Sequence, residues 1–258
     1  MTALITGASS GIGLELARIF AAHGTNVVLV ARQEDKLRVL ATELHATGVR
    51  ADVVAADLGA PGAAAALVSR VQSLGIDIDV LVNNAGFGLY GPFLQTSLDT
   101  ELSMLQLNIV ALTELTKRLL PPMVARRSGR ILNVASTAAF FPGPLMAVYY
   151  ATKAYVLSFS EAIANELQGS GVTVTALCPG PTESGFQAAA GLEGSKLGAG
   201  RTFQTSRQVA DEAYDALIAG KPLVVTGLSN KLQVLAPRLL PRRMLAAMVR
   251  AVQEKRRT

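Results

Sequence analysis

Short apolar runs alternate with longer amphipathic stretches along almost the whole chain, and this alternation constrains the fold more than any other feature. The runs are rich in β-branched residues or leucine and are flanked by Gly, Asn or Asp, which is typical of strands. They read TALIT, NVVLVA, RADVVAA, IDVLV, RILNVAS, VTVTALC and PLVVT. Helical periodicity covers about 12–23, 33–47, 61–73, 99–126, 147–169 and 206–219. Strands separated by helices predict an α/β fold, a doubly wound parallel sheet of about seven strands with helices on both faces.

Composition narrows the class of protein further. The 258 residues are enough for a full core, and half of them are hydrophobic. No uncharged apolar stretch is long enough to span a bilayer, and the first strand begins at Thr2 without a leader, so we expect a cytoplasmic protein. Cys178 is the only cysteine, which excludes an internal disulfide. With only His23 and His45 besides, no metal site is expected.

The stretch TGASSGIG (6–13) lies between the first strand and the first helix. This is the setting of a phosphate-binding turn, because the first backbone N–H groups of a helix are free to bind an anion. Gly7 would permit the tight turn, Gly11 the close approach of a pyrophosphate, and Gly13 close packing of helix on sheet. The hydroxyl groups of Ser9 and Ser10 would add donors beside Ile12. The spacing G-x-x-x-G-x-G meets the general Rossmann pattern only approximately.

The ends of the second and third strands bear on the choice of cofactor. In dinucleotide-binding folds an acidic residue at the end of the second strand binds the adenosine ribose. Here Ala31 and Arg32 stand at that point. Because an arginine there can bind a 2′-phosphate, we favour NADP(H) over NAD(H). Asp57 and Leu58 would lie beside the adenine, although Asp57 is alternatively the N-cap of the next helix.

Tyr149 and Lys153 lie one helical turn apart in AVYYATKAY. A nearby ammonium lowers the pKa of a phenol, which suits proton exchange with a carbonyl or an alcohol. Tyr150 and Tyr155 lack a lysine at this spacing. Ser136 ends the fifth strand, where its hydroxyl either holds a substrate oxygen or caps the next segment. Asn108, inside an amphipathic helix, either satisfies backbone groups or holds water for a proton relay.

As an ordered set, these motifs resemble the short-chain dehydrogenase/reductase family over Thr2 to about Gly227. The set adds NNAG (83–86) after the fourth strand and PGPT (179–182) after the sixth. The resemblance implies that Ser136, Tyr149 and Lys153 are catalytic, with Asn108 completing the relay. It implies that the cofactor also contacts Asn84, Ala85, Gly86, Pro179, Gly180 and Thr182.

Apolar side chains surround the expected pocket, and none of these stretches carries an arginine or lysine to bind a carboxylate. They predict a neutral, lipophilic carbonyl or alcohol substrate, although several of them are equally expected in an ordinary core. The glycine-rich segment 191–200 is expected to be a loop, or a lid if it covers the site. The substrate contacts are predicted to be Ser136, Phe87, Phe141, Met146 and Phe186.

The basic character of the chain belongs to its C-terminal end. From Lys231 onward eight basic residues accompany Glu254 alone, a net charge of +7, which leaves −2 for residues 1–230 of the total of +5. We therefore divide the chain into a domain at 1–228 and a basic amphipathic helical extension at 229–258. Its apolar face comprises Met244, Leu245, Met248, Val249 and Val252.

We expect this extension to pack over the pocket or against a second subunit. The alternative is peripheral contact with an anionic membrane surface, where a lipophilic substrate would partition. Nucleic acid is not an expected partner, because no reading motif accompanies the basic residues.

The sequence thus predicts an NADP(H)-dependent oxidoreductase that interconverts a carbonyl and a secondary alcohol, mainly in the reductive direction. A homodimer or homotetramer is expected by analogy with the family, through the helices at 99–126 and 147–169. The rival hypotheses are a non-catalytic NADP(H)-sensing protein and a membrane-surface scaffold on the same fold. An intact set of Ser136, Tyr149 and Lys153 argues against both, since neither role needs a proton relay.

Overall fold

A seven-stranded parallel sheet forms the centre of the chain, as the alternation of runs predicts. The computed structural model describes residues 1–192, 203–238 and 240–254. The strand order is β3-β2-β1-β4-β5-β6-β9, and every pairing is parallel. The seven strands are β1 (Thr2–Thr6), β2 (Asn26–Ala31), β3 (Ala51–Ala55), β4 (Val80–Asn83), β5 (Gly129–Val134), β6 (Val172–Cys178) and β9 (Leu223–Val225).

Helices cover both faces of the sheet. One face packs against α1, α2 and α8, and the other against α3, α5 and α6. With both faces covered, β1, β4 and β6 are almost wholly buried, which explains why their sequences are continuous apolar runs. The helices are α1 (Gly11–Ala22), α2 (Glu34–His45), α3 (Ala63–Ser73), α4 (Leu98–Leu105), α5 (Leu112–Ala125), α6 (Ala147–Glu166), α7 (Phe186–Ala189), α8 (Ser206–Ile218), α9 (Leu228–Gln233) and α10 (Arg242–Gln253).

The order of the strands creates a cleft between β1 and β4. After β1 the chain builds β2 and β3 on one side, then crosses over to place β4 and β5 on the other. The connections after β1 and β4 therefore run in opposite directions and leave a cleft between them at the carboxyl edge, where parallel α/β sheets bind ligands. The motifs TGASSGIG and NNAG follow these two strands and meet at this cleft.

The prediction of a single helix at 99–126 is wrong in one respect. Helices α4 and α5 are joined by a π-helical segment, Gln106–Ala111, which contains Asn108. The side chain of Asn108 is 2% exposed and bonds to the backbone of a distant loop. An extra residue per turn of this kind redirects side chains and is frequent at functional sites.

The sequence pattern did not predict a small second sheet. Strand β7 (Thr182–Glu183) pairs in parallel with β8 (Gln204–Thr205). Between them lies the expected lid, of which residues 193–200 are outside the described part of the chain. Within the described ranges, no helix is long and apolar enough to cross a membrane. Nor do three or more His, Cys, Asp or Glu side chains there come together as a metal site.

Candidate active site

One cavity of about 740 Å³ lies at the carboxyl edge of the sheet, and it brings together nearly every residue singled out from the sequence. Gly13 and Asn108 are the exceptions, because they stand behind the cavity wall. The predicted residues that line it are Gly7, Ser9, Ser10, Gly11, Ile12, Arg32, Asp57, Leu58, Asn84, Ala85, Gly86, Phe87, Ser136, Phe141, Met146, Tyr149, Lys153, Pro179, Gly180, Thr182 and Phe186.

The turn after β1 is shaped by close backbone contacts. Gly7 has a φ of +67°, a conformation that side chains disfavour. The Asn84 side chain donates from Nδ2 to the carbonyl oxygens of Thr6 and Gly7, at 2.9 and 3.2 Å. The Thr6 hydroxyl oxygen accepts from the backbone N–H of Asn84 at 3.0 Å. These bonds tie the loop after β4 to the turn after β1 and keep the cleft between them in one shape.

Gly13 leaves no room for a side chain. A β-carbon there would collide with the carbonyl oxygen of Gly7 and would lie 2.5 Å from Asn84 Nδ2. We expect Gly13→Ala to lower the free energy of unfolding by about 1–3 kcal/mol, because backbone must move to admit the methyl group. Denaturant unfolding measures this change. Gly185→Ala is the control, since a β-carbon at Gly185 meets no heavy atom within 4 Å. Equal stabilities of the two variants would contradict the close packing.

The part of the cavity beside α1 fits the diphosphate of a dinucleotide. Ser10 is the N-cap of α1, and its hydroxyl makes no capping bond. The first backbone N–H groups of the helix lack intrahelical partners and stand where an anion would bind. Ser9 and Gly11 line the same wall. The donors and the space therefore suit a pyrophosphate.

At the far end of this wall, Arg32 is exposed and makes no ion pair with the residues that the structure describes. Lys36, one turn later, lines the cavity as well. Sequence reasoning missed Lys36, although its i, i+4 spacing from Arg32 was a signal. Asp57 is not a helix cap, because α3 has Gly62 as its N-cap. The Asp57 carboxylate instead accepts the N–H of Gly59 at 3.0 Å.

Ser136, Tyr149 and Lys153 meet at the other end of the cavity. Ser136 follows β5, and its hydroxyl oxygen accepts the N–H of Ala138 at 3.1 Å, so it also caps the turn that follows. The Ser136 and Tyr149 side chains are close enough that the serine hydroxyl lowers the pKa of the phenol in part. Lys153 Nζ lies 5.8 Å from the Tyr149 ring centroid and donates to the Val134 carbonyl at 2.8 Å.

Burial dominates the protonation of this group. It raises the pKa of the Tyr149 phenol, although the Ser136 hydroxyl lowers that pKa in part. Burial lowers the pKa of Lys153 to about 8. The lowering of the tyrosine pKa expected from Lys153 is not found here, and burial has the largest effect on the pKa of the phenol. Cys178, at the end of β6, is fully buried, which raises the pKa of its thiol to about 12.

Asn108 connects the helix layer to the cavity wall. Its Oδ1 accepts the N–H of Phe87 at 3.1 Å, and its Nδ2 donates to the Phe87 carbonyl at 2.9 Å. Nδ2 also donates to the Thr152 hydroxyl at 3.1 Å. A β-carbon added to Gly86 would lie 2.9 Å from Asn108 Oδ1 and 3.6 Å from Lys153 Nζ. Asn108 therefore satisfies backbone groups and fixes the loop beside Lys153.

The remaining wall is largely apolar. Phe186 packs on Tyr149 with ring centroids 5.2 Å apart, and Gly88 leaves room for Phe186, Met146 and Tyr149 to converge. Helix α10 contributes side chains to this wall. Its contributions to the lining are Leu245, Met248, Val249, Val252 and Gln253. Sequence reasoning did not anticipate that Gln253 and Tyr150 reach the cavity.

Comparison with known proteins decides the family. The family model described as short chain dehydrogenase matches residues 1–193. The chain belongs to this family. A short chain dehydrogenase of Pseudocercospora fijiensis is 38% identical over 185 residues, which cover 71% of this chain but only 60% of that relative. The ketoacyl reductase HetN of Nostoc is 35% identical over 217 residues, or 84% of this chain and 75% of HetN.

Solved structures support the same assignment for this short-chain dehydrogenase. The short-chain dehydrogenase from Sphingobium yanoikuyae in complex with NADPH has a TM-score of 0.83 at 32% identity, covering 100% of this chain and 99% of the other. A 7β-hydroxysteroid dehydrogenase gives 0.85 at 29%, covering 96% of each chain. The bulky-bulky ketone specific alcohol dehydrogenase from Comamonas testosteroni gives 0.78 at 31%, covering 92% and 91%.

Proposed function

We propose that this oxidoreductase uses NADP(H) to interconvert a bulky, lipophilic carbonyl compound and its secondary alcohol, mainly in the reductive direction. One observation carries the proposal. A single cavity holds Ser136, Tyr149 and the buried Lys153 at one end, and the glycine turn with Arg32 at the other. The proton donor and the phosphate-binding elements therefore face the same ligand space.

Each side chain has a distinct role in the reduction. When bound, NADPH supplies the hydride to the carbonyl carbon. Tyr149 is neutral because burial raises its pKa, so it holds the proton that the carbonyl oxygen needs as negative charge develops there. Ser136 orients that oxygen beside the phenol. Lys153, whose pKa burial lowers to about 8, carries positive charge below that pH and holds it 5.8 Å from the Tyr149 ring centroid, beside the proton donor.

The names of similar proteins support the cofactor and the substrate class. The Sphingobium enzyme is in complex with NADPH. HetN is named a ketoacyl reductase, and the Comamonas enzyme is specific for bulky-bulky ketones. The apolar wall made by Phe87, Phe141, Met146 and Phe186 suits substrates of that kind.

The experiment that tests the proposal mixes the purified full chain with NADPH and a panel of bulky ketones. We expect NADPH fluorescence to change on binding, and NADPH absorbance to fall when a ketone is added. Binding without consumption across the whole panel would instead favour the sensing protein. If NADPH is neither bound nor consumed, the result would favour the membrane-surface scaffold. Turnover of small charged ketoacids alone would contradict the lipophilic substrate.

Arg32 is the proposed selector for the 2′-phosphate. We expect Arg32→Ser to reduce the preference for NADPH over NADH by about 10- to 100-fold, because one or two charge-assisted hydrogen bonds are lost. Steady-state kinetics with both cofactors measure this ratio. Arg38→Ser is the control, since Arg38 lies nearby on α2, pairs with Glu34 and does not line the cavity. An unchanged ratio in Arg32→Ser would assign the preference to another residue.

Assembly and membrane contact stay predictions. Four large apolar side chains are exposed on α4, α6 and the π-helical segment, which supports a homodimer or homotetramer through this face. Light scattering on the full chain measures the mass. The exposed side chains on this face are Leu98, Leu102, Val110 and Tyr155.

Peripheral membrane contact through residues 229–258 is tested by flotation with anionic vesicles.

A further inference from the structure

Gln253, at the end of α10, is a polar side chain in an apolar wall. It is 1% exposed, and its Nε2 donates to the Tyr150 hydroxyl at 2.5 Å. Its backbone carbonyl accepts from the Tyr90 hydroxyl at 3.0 Å, which fixes the end of the helix. Its Oε1 is buried and has no hydrogen-bond partner among the described residues. A buried acceptor without a partner is costly, so the fold leaves a bond for a ligand to complete.

Tyr150 supplies the second half of the arrangement. Its ring stands at 76° to that of Tyr149, with centroids 6.1 Å apart, and both residues line the cavity. Burial raises the pKa of Tyr150 to about 12, so its hydroxyl keeps its proton at neutral pH. The hydroxyl oxygen accepts from Gln253, and the proton has no acceptor within the described part of the chain. One free donor and one free acceptor therefore stand side by side.

The surroundings favour a neutral partner for this pair. Leu245, Met248 and Val252 of α10 form the adjoining wall. The cationic side chains that line the cavity within the described ranges are Arg32, Lys36 and Lys153, and none of them belongs to α10. A carboxylate placed beside these apolar side chains would lose its hydration without gaining a counterion. A hydroxyl group carries both a donor and an acceptor and no charge.

We propose that Tyr150 and Gln253 form a polar subsite that binds a hydroxyl group of the substrate remote from its reacting carbonyl. The substrate hydroxyl donates to Gln253 Oε1 and accepts from the Tyr150 hydroxyl. The substrate hydroxyl also satisfies both residues if the Gln253 amide is rotated by 180°, which exchanges Oε1 and Nε2. The hydroxyl oxygen then accepts from Gln253 Nε2 instead of from the Tyr150 hydroxyl. The subsite rests on the proposed function and sharpens its substrate class to bulky hydroxyketones. Sites built to bond a hydroxyl discriminate strongly against analogues that lack it.

Matched ketone pairs test the subsite. The probes are decalin and steroid ketones, each with and without one hydroxyl on a ring that does not carry the ketone. Calorimetry with the full chain, with and without NADP⁺, measures binding, and NADPH consumption measures turnover. We expect the hydroxylated member of at least one pair to bind about tenfold more tightly and to show a correspondingly higher kcat/KM.

Two variants assign the preference to these residues. Gln253→Met and Tyr150→Phe are each expected to remove the hydroxyl preference, measured as the ratio of affinities within each ketone pair. Tyr150→Phe deletes a single oxygen, so it keeps the test valid if Gln253→Met disturbs α10. Tyr155→Phe is the control and should keep the preference, because Tyr155 bonds to Thr113 away from the cavity.

The outcomes separate the subsite from the reaction. If both members of every pair are consumed at equal rates, the proposed function stands and the subsite is overturned. A preference that persists in both Gln253→Met and Tyr150→Phe also overturns it. Binding that depends on the hydroxyl, without NADPH consumption, supports the subsite and overturns the proposed function. Absence of binding by every probe overturns both.

Discussion

Replacing Tyr149 by phenylalanine is expected to lower kcat for a responsive ketone by roughly 10²- to 10⁴-fold. The substitution removes only the phenolic oxygen, the atom from which the proposed function transfers a proton to the substrate oxygen. NADPH binding should be retained, because the glycine turn and Arg32 lie at the other end of the cavity. Single-turnover kinetics with saturating NADPH would measure the loss in the chemical step, and NADPH fluorescence would report binding separately.

Tyr155→Phe provides the matched control for this experiment. Tyr155 lies on the same helix, α6, but its hydroxyl pairs with Thr113 at 2.9 Å and does not line the cavity. The control should keep full activity and show the same far-ultraviolet circular dichroism. Should Tyr149→Phe retain most of its turnover while folding normally, Tyr149 would not be the proton donor.

Lys153→Met is expected to reduce turnover strongly and, at the same time, to make the chain more stable at neutral pH. The pKa of Lys153 is lowered from 10.5 to about 8, because burial disfavours the charged ammonium. Keeping that charge buried at pH 7 costs about 3 kcal/mol of folding free energy. The lost hydrogen bond to the Val134 carbonyl offsets about 1 kcal/mol of the gain. Such a loss of stability at a site that serves activity is a common compromise in enzymes, and the proposed function gives Lys153 that position.

The free energy of unfolding should depend on pH through Lys153. Between pH 8 and 10.5 the unfolded chain binds a proton at Lys153 that the folded chain has released. The contribution of this lysine to stability therefore rises with pH across that interval and is constant below it. Denaturant unfolding of wild type and Lys153→Met at pH 7 and pH 10, without cofactor, measures the two differences. The advantage of the variant should shrink by about 2.5 kcal/mol between them.

Lys117→Met is the control, because Lys117 is exposed on α5 and water already solvates its ammonium. We expect the stability gap of that variant to be the same at both pH values. An equally constant gap for Lys153→Met would show that the ammonium is hydrated in the folded chain, contrary to its burial.

The sheet could be predicted from the sequence because its signal is local. Each buried parallel strand is a continuous apolar run. The runs predicted for β1, β2 and β6 therefore have the same bounds as the strands in the structure. The two-residue strands β7 and β8 carry no such pattern. They depend on a pairing between segments far apart in the chain.

Features that depend on contacts between residues far apart in the chain could not be predicted from the sequence. The π-helical segment at Gln106–Ala111 keeps a helical pattern of side chains, and its altered bonding accompanies the contact of Asn108 with Phe87. The spacing of Tyr149 and Lys153 placed them on one helical face, but it held no information on burial. Burial reverses the direction expected for the tyrosine pKa.

Gln253 illustrates the same limit at the level of specificity. Tyr150 precedes it by 103 residues, and no local periodicity links the two. The amphipathic pattern at 244–252 indicated that α10 would cover an apolar surface. It did not indicate that the next residue would turn an amide toward a tyrosine.

The burial of Cys178 has a practical consequence for spectroscopy. It is the only cysteine in the chain, it is 0% exposed, and its thiol has a pKa near 12. Since the thiolate is the form that attacks maleimides and thiol-reactive nitroxide labels, the folded wild-type protein should stay unlabelled at neutral pH. A cysteine introduced at Met244, which is 51% exposed at the start of α10, would then be the single attachment point. A fluorophore or spin label placed there would follow the displacement of α10 as ligands enter and leave, without prior removal of the native thiol.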